Sequence, residues 1–342
     1  MKLIRFDIYL ERRTNLIFNQ SKGTYMKEFL SIFNVELLVG AIRLSTPIIL
    51  ASIGATICEK SGIVNIAMEG IMIIGAYFST IVTLATNNPW LGLLAGVIFA
   101  MVFSLIHAVA TITLHLEHVV SGAVLNIVAL GLTRYLMIIF VGHPGTTDLV
   151  KKSLGQFRYS IPILSKIPIL GQIFFSQTPI IYMTFIIIIA ITIFLNKTRT
   201  GLHIRASGEH PLAIETLGIS VTKMRYLAVL ISGFLCGLAG TYLAIENGTS
   251  FTEGMTNGRG FIALAANISG GWNPIGSFLA SLLFGFADSL QFKLQASKII
   301  NMPSEVFTMF PYILTVVLVA GLVRKSRPPK ALGLDFSIEK TS

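Results

Sequence analysis

The chain has 342 residues, of which 53% are hydrophobic and only 12% charged, with a formal net charge of +10 and a mean hydropathy of +0.76. A water-soluble domain of this length needs far more charge to cover its surface, so a soluble fold is excluded. Two cysteines, Cys58 and Cys236, make no disulfide framework, and Cys236 sits inside an apolar run as a small packing residue.

The apolar stretches are continuous rather than alternating, which spells helices and not barrel strands. Several run for about 18 to 24 residues, enough at roughly 1.5 Å per residue to cross a ~30 Å hydrocarbon core. The expected fold is an all-α polytopic membrane protein with about nine transmembrane helices, within a range of roughly eight to ten.

In chain order, residues 1–33 form a basic extension carrying Lys2, Arg5, Arg12, Arg13, Lys22 and Lys27, without the apolar centre of a removable signal peptide. The membrane domain is expected over residues 34–323. Its spans are predicted at 34–57, 63–85, 90–113, 119–141, 178–195, 226–245, 258–271, 274–291 and 305–323. The stretch 258–271, GRGFIALAANISGG, is short and rich in small residues and reads as a broken or re-entrant helix. Residues 142–177 form the longest loop, punctuated by Gly145, Pro162, Pro168 and Gly171. Residues 324–342 are a basic tail, and no linker marks a second domain.

Charge sets the topology. Lys197, Arg199, Arg205, Lys223 and Arg225 in the 196–225 loop, and Arg324, Lys325, Arg327 and Lys330 in the tail, place both segments in the cytoplasm. The same asymmetry explains the net charge without a nucleic-acid partner. Five spans precede the loop and put the N-terminus outside, against the basic residues of 1–33. Nine spans with an outside N-terminus is the favoured count, and the parity stays open.

Ionisable side chains inside spans cost about 2.5 to 3.5 kcal/mol each on insertion scales, so each needs a partner or a wet cavity. They are Arg43, Glu69, Arg134, Glu246 and Asp288, in the company of Asn65, Asn126 and Asn267. Glu246 and Asp288 lie near span ends and are expected to reach the interface, and Arg43 to snorkel. In SGIVNIAMEGIMIIGAY, Asn65 and Glu69 stand four apart and are expected on one helix face, lining a pathway or joining two helices. Glycine interruptions recur in both halves, at Gly62, Gly70 and Gly75 and at Gly258, Gly260, Gly270 and Gly271. Such pairs mark a midplane site in transporters, or close helix packing.

The polar insert 201–219, GLHIRASGEHPLAIETLGI, lies between two apolar spans. Ser207, Gly208 and Glu209 precede Pro211 at a first helical turn, and Gly218 falls where a C-cap belongs, so a helix is expected there for a soluble motor to bind. The chain has no Walker A loop and cannot itself be the ATPase. It also lacks HExxH, a paired CxxC, an arginine ladder and a potassium-filter signature. His115 and His118, beside Glu117, read as a solvated turn rather than a metal site.

Three segments, SGIVNIAMEGIMIIGAY, GLHIRASGEHPLAIETLGI and GFIALAANISGGWNPIGSFLASLLFGFADSLQ, resemble the permease subunits of ABC importers for simple sugars, nucleosides and branched-chain amino acids. The resemblance covers roughly residues 35–325 and is nearest to the nucleoside (guanosine-type) permeases that work with lipoprotein binding proteins. It implies a type II-like importer permease fold and uptake of purine nucleosides, the alternative cargo being ribose-like sugars or branched-chain amino acids. A cytoplasmic ATPase-coupling helix maps onto Gly201, Arg205, Ala206, Gly208, Glu209, Pro211, Ala213, Gly218 and Ile219. His210 stands where Asn is usual and Ile214 where Ala is usual.

The implied partners are separate ATPase subunits carrying ATP and Mg, a substrate-binding lipoprotein, and a second permease subunit, with a heterodimer favoured over a homodimer. The setting is the bacterial cytoplasmic membrane. The chain itself is expected to be a transport subunit rather than an enzyme and to bind no cofactor or metal. For a nucleoside, Asn65, Glu69 and Asn267 are the pathway candidates for the ribose, and Phe78 and Phe261 for the base. The rivals are a proton-coupled secondary transporter using Glu69 or Asp288, and a membrane enzyme, for which no catalytic cluster is found.

Overall fold

The computed structural model describes residues 33–160, 170–297 and 327–336, with the single positions 306, 309, 313 and 317. The chain runs α1 (Val35–Lys60), α2 (Met68–Thr86), α3 (Pro89–Ala108, closed by a π turn to Thr113) and α4 (His118–Phe140). After a long connection come the short α5 (Leu170–Phe174), α6 (Pro179–Lys197), α7 (Arg199–Glu209) and α8 (Pro211–Glu215). Then follow α9 (Val221–Thr241, closed by a π turn to Glu246), α10 (Arg259–Ser269) and α11 (Pro274–Ser297). One two-residue antiparallel ladder, β1 (Tyr159–Ser160) on β2 (Ser176–Gln177), is the only sheet among the described residues.

Seven helices among the described residues are long and apolar enough to span, against the nine expected. The predicted 258–271 span is the eleven-residue α10, about 16 Å long and half a bilayer core. The predicted spans at 63–85 and 226–245 begin later and earlier, at Met68 and Val221. The extension 1–32 and most of the 305–323 span lie outside the described residues.

Local chemistry sets the starts. Asn34 accepts the Leu37 N–H at 3.1 Å, and Asn88, followed by Pro89 at the first helical position, accepts that of Trp90 at 3.0 Å. Glu117 caps α4, and the backbone N–H groups of Val120 and Val119 hold its exposed carboxyl below the usual carboxylate range. Pro47 inside α1 cannot donate to the carbonyl of Arg43, and the Tyr242 hydroxyl does so instead at 2.9 Å.

Helices α1, α2 and α9 form the buried centre. A Cβ on Gly75 would lie 2.9 Å from the Gly237 carbonyl, and one on Gly240 would lie 2.0 Å from that of Met72. Helices α2 and α9 therefore meet backbone to backbone, the packing that small residues permit where no hydrophobic effect drives helices together. Outside, α4 exposes Val120, Ile127, Tyr135 and Ile138, and α6 exposes Ile186, Ile189 and Ile193, as lipid-facing helices do.

The bundle has two distinct ends. One gathers the end of α1, the 114–117 turn, α7, α8 and the 327–336 segment, joined by Ser207 Oγ donating to the Ser61 carbonyl at 3.1 Å and Ala331 N–H to that of Gly208 at 2.8 Å. At the other, residues 145–150 pair with 249–253, as in Thr147 N–H to the Phe251 carbonyl at 2.9 Å. Five long helices, α1 to α4 and α6, separate Asn34 from α7, and an odd number sets the two at opposite ends.

Candidate functional site

Two breaks in the helical backbone face each other. At the first, Gly62 adopts φ +99°, a left-handed conformation that ends α1, and the chain reaches Met68 before helix resumes. Backbone groups in such a segment need partners at bilayer depth. Val64 donates to His118 Nδ1 at 3.2 Å, and His107 Nε2 donates to the Val64 carbonyl at 3.0 Å. Asn126 accepts from Gly70 N–H at 2.8 Å and donates to the Ile66 carbonyl at 2.9 Å. His118 is thus buried in a structural role, and the solvated turn expected there is limited to His115, which pairs with Asp335. No group of three metal-ligating side chains occurs among the described residues.

The break also corrects the expected pairing of Asn65 with Glu69. Asn65 precedes the helix, so the four-residue periodicity does not apply. Its amide donates to Ser232 Oγ at 3.1 Å, whereas Glu69 lies in the first turn of α2 and points at the second break.

There, residues 247–258 lead into α10. The Glu69 carboxylate accepts Thr256 Oγ1 at 2.6 Å and the backbone N–H groups of Gly258 and Gly260, both at 2.7 Å. One carboxylate therefore sits on the positive ends of two helices, its own and α10. The other end of α10 carries a second buried carboxylate that the hydropathy pattern hid at the end of a span. Glu59 accepts from Asn267 Nδ2 at 2.8 Å and from Trp272 Nε1. Asn267 Oδ1 in turn accepts Thr56 Oγ1 at 2.7 Å, and Thr56 meets Ser277 at 2.9 Å, so a polar seam joins α1, α10 and α11.

The five pathway candidates do not converge on one open site. Asn65 and Asn267 are fully buried, Phe78 stacks on Phe99 at 3.8 Å, and Phe261 stands half exposed on α10. Glu246, expected at the interface, is buried and holds the start of α6 by accepting Thr178 Oγ1 at 2.6 Å and Ile180 N–H at 3.0 Å. Asp288, also expected there, is buried midway along α11, while Arg134 is exposed on α4. Arg43 lines a cavity of about 420 Å³ with Arg158, Glu36 and Gln172 at the end remote from α7.

The polar insert is two helices, not one. Pro211 starts α8 and Gly218 is left-handed (φ +76°), both as expected. Ser207, Gly208 and Glu209, however, end α7 rather than precede a first helix. Gly201 and Gly208 face inward: a Cβ there would lie 2.0 Å from the Phe194 carbonyl and 2.3 Å from that of Lys60. Arg205 and Ala206 are half-buried, as are Glu209 and Pro211, whereas Ala213 and Gly218 are exposed. The outward apolar groups are Leu202, Leu212 and Leu217, which motif reasoning did not single out.

Residues 37–319 match the family model described as branched-chain amino acid transport system / permease component. The chain is 41% identical over 303 residues to the guanosine ABC transporter permease protein NupQ of Bacillus subtilis, covering 85% of this chain and 93% of that one. It is 41% identical over 300 residues, with the same coverage, to the nucleoside ABC transporter permease protein NupC of Lactococcus lactis. It is 30% identical over 313 residues to the putative glucose ABC transporter permease protein TsgC13 of Haloferax volcanii, covering 85% and 92%. With its spanning helices, two facing breaks and polar two-helix insert, this multi-pass membrane protein belongs to the branched-chain amino acid transport system permease family, the transmembrane subunits of ABC transporters.

Proposed function

We propose that the chain is the permease subunit of an ATP-driven nucleoside importer, with purine nucleosides as cargo, in a bacterial cytoplasmic membrane. The observation carrying this reading is the 41% identity, over nearly the whole membrane domain, to permeases named for guanosine and for nucleosides. The 30% identity to a putative glucose permease makes a simple sugar the second reading.

The basic end of the bundle is the cytoplasmic one, since Lys197, Arg199, Arg205, Lys223, Arg225, Arg327 and Lys330 gather there. ATPase subunits, which hold ATP and Mg, dock on α7 and α8 through the exposed Leu202, Leu212 and Leu217. Their movement reaches residues 61–67 through Ser207 and Gly208, and from there acts on Glu69 and α10. A substrate-binding lipoprotein delivers cargo at the opposite end.

The pathway passes α10, where the N-terminus of this half-length helix meets that of α2 at Glu69, as broken-helix N-termini do at transporter binding sites. Phe261 and Asn267 on α10, with Asn65 and Phe78 on either side of Glu69 in the chain, are its proposed lining. A second permease subunit covers the exposed Phe261, Ile275, Leu279 and Leu283, because the broken backbone beside α10 tolerates protein or water but not lipid. A related chain is favoured over a second copy.

The test is labelled-guanosine uptake with and without the gene, competed by unlabelled nucleosides, ribose or leucine, before and after ATP depletion. Gene- and ATP-dependent uptake that yields only to nucleosides is expected. Competition by ribose or leucine changes the cargo, and survival of ATP depletion with loss on collapse of the proton gradient overturns the ATP-driven reading.

A further inference from the structure

The segment 327–336 returns to the end of the bundle that carries α7 and is held there by backbone hydrogen bonds, an arginine–carbonyl bond, a His–Asp pair and an arginine–phenylalanine contact. Ala331 N–H donates to the Gly208 carbonyl at 2.8 Å, and two residues on, Gly333 N–H donates to the Gly62 carbonyl at 2.9 Å. Arg225 Nη1 donates to the Leu334 carbonyl at 3.4 Å, its guanidinium lies 5.9 Å from the Phe336 ring centre, and Asp335 pairs with His115. A cavity of about 310 Å³ remains between this segment and Glu209–Leu212.

The two backbone bonds have a particular placement. Gly208 is in the last turn of α7, and Gly62 is the left-handed residue from which the first break departs. One two-residue step of the tail thus ties the insert to the segment that leads, six residues after Gly62, to the start of α2 and then to Glu69. Gly333 is itself left-handed at φ +73°, so the chain turns directly after the N–H that Gly62 accepts. A tail serving only to fill space would need apolar burial, yet Lys330, Gly333, Leu334 and Asp335 are exposed and only Pro329 and Ala331 are buried.

We infer that residues 327–336 are a positioning strap that makes α7 and the 61–67 break move together, so that displacement of the insert reaches α10 instead of being absorbed at the junction. The inference rests on the reading of α7–α8 as the ATPase-docking element. Ala331 and Gly333 are its positioning residues. Proline at either removes the donating N–H, and at Gly333 its fixed negative φ also contradicts the observed turn. Gly333→Asn keeps the N–H and tolerates the left-handed conformation, and the nearest atom to its Cβ, Val64 Cγ2, is an ordinary 3.5 Å away.

The experiment reconstitutes the whole transporter, this chain with its second permease subunit, ATPase subunits and substrate-binding lipoprotein, and measures guanosine moved per ATP hydrolysed for wild type, Ala331→Pro, Gly333→Pro, Gly333→Asn and Asp335→Asn. Both proline variants are expected to retain the ATPase subunits and hydrolyse ATP while the transport-to-hydrolysis ratio falls about fivefold or more, the lower bound of a usual coupling energy. Gly333→Asn is expected to keep the wild-type ratio, and Asp335→Asn, which leaves both backbone bonds, to lower it less than either proline. Proline variants with a wild-type ratio overturn the strap. So does a loss of ATPase association confined to the proline variants, which makes the tail a docking element instead. Full retention of the ATPase by Leu212→Asp and Leu217→Asp, assayed in parallel, sinks the docking reading, a different and separately visible result.

Discussion

The Glu69 carboxylate accepts the Gly260 backbone N–H at 2.7 Å, so the first turn of α2 caps the first turn of α10 across nearly 200 residues of sequence. The approach is close because Gly260 has no side chain: a Cβ there would stand 2.6 Å from the Glu69 nitrogen. Replacing Glu69 by Ala leaves three donors, on Thr256, Gly258 and Gly260, without an acceptor. The expected loss is of order 3 kcal/mol, since bonds to charged groups are each worth about 1.5 to 3 kcal/mol and water replaces some of them. Gly260→Ala overpacks the same contact, at a cost of about 1 to 3 kcal/mol. Thermal unfolding in detergent reads the stability and guanosine uptake reads the function. Both variants are expected to lose uptake while still assembling with the ATPase; unchanged uptake in Glu69→Ala would remove this junction from the pathway.

Tyr242 and Pro47 form a compensating pair. The hydroxyl supplies the donor that proline denies to the Arg43 carbonyl. Tyr242→Phe is expected to cost about 1 to 2 kcal/mol in the wild-type background, the usual penalty for an unsatisfied buried carbonyl. In a Pro47→Ala background, where residue 47 can donate its own N–H, the same change is expected to cost distinctly less. A double-mutant cycle on unfolding midpoints measures the difference. Equal costs in the two backgrounds contradict the compensation.

The buried histidines serve backbone rather than chemistry. His107 and His118 hold the two sides of the Val64 peptide, and both are buried. His107→Leu is expected to expose the Val64 carbonyl to an apolar shell and lower stability by about 1 to 3 kcal/mol. His107→Gln, which keeps a donor, is expected to recover part of it. The readout is the detergent unfolding midpoint, with protease cleavage between residues 61 and 67 as a local check. A Leu variant as stable as wild type refutes the clamp.

The spans were legible because lipid imposes a crude requirement, about twenty apolar residues, that hydropathy registers directly. The family segments carried the functional class because the insert sets Gly208, Glu209 and Pro211 at the spacing of the family motif it resembles. The breaks were less visible. Residues 63–67 are as apolar as a helix, and only partners distant in sequence (His107, His118 and Asn126) make their non-helical backbone tolerable. Glu246 reads as interfacial from its position at a span end, and Glu59 lies just past the predicted 34–57 span and draws no attention, but each ends in a buried cradle of donors from elsewhere in the chain. Helix α7 escaped notice because Gly201 and Gly208 argue against helix locally, whereas tertiary contact with the Phe194 and Lys60 carbonyls demands them.

The insert offers two faces that a mutation series can separate. Gly201 and Gly208 pack inward, so bulky residues there are expected to disturb the bundle itself. Leu212 and Leu217 are 50% and 74% exposed, and nothing among the described residues requires them to be apolar. Leu212→Asp and Leu217→Asp are therefore expected to leave the unfolding midpoint within about 0.5 kcal/mol of wild type, as surface changes do. If these leucines are anchors buried by the ATPase, each change is expected to cost about 2 kcal/mol or more of association. That corresponds to roughly a thirtyfold drop in affinity. Pull-down of the ATPase subunits across a concentration series measures it. Replacing Gly208 and Glu209 together by bulky cationic residues is expected to lose both the ATPase and some stability. Full association of the two Asp variants moves the docking surface off α8, whereas loss of association together with folding makes these leucines part of the bundle rather than its handle.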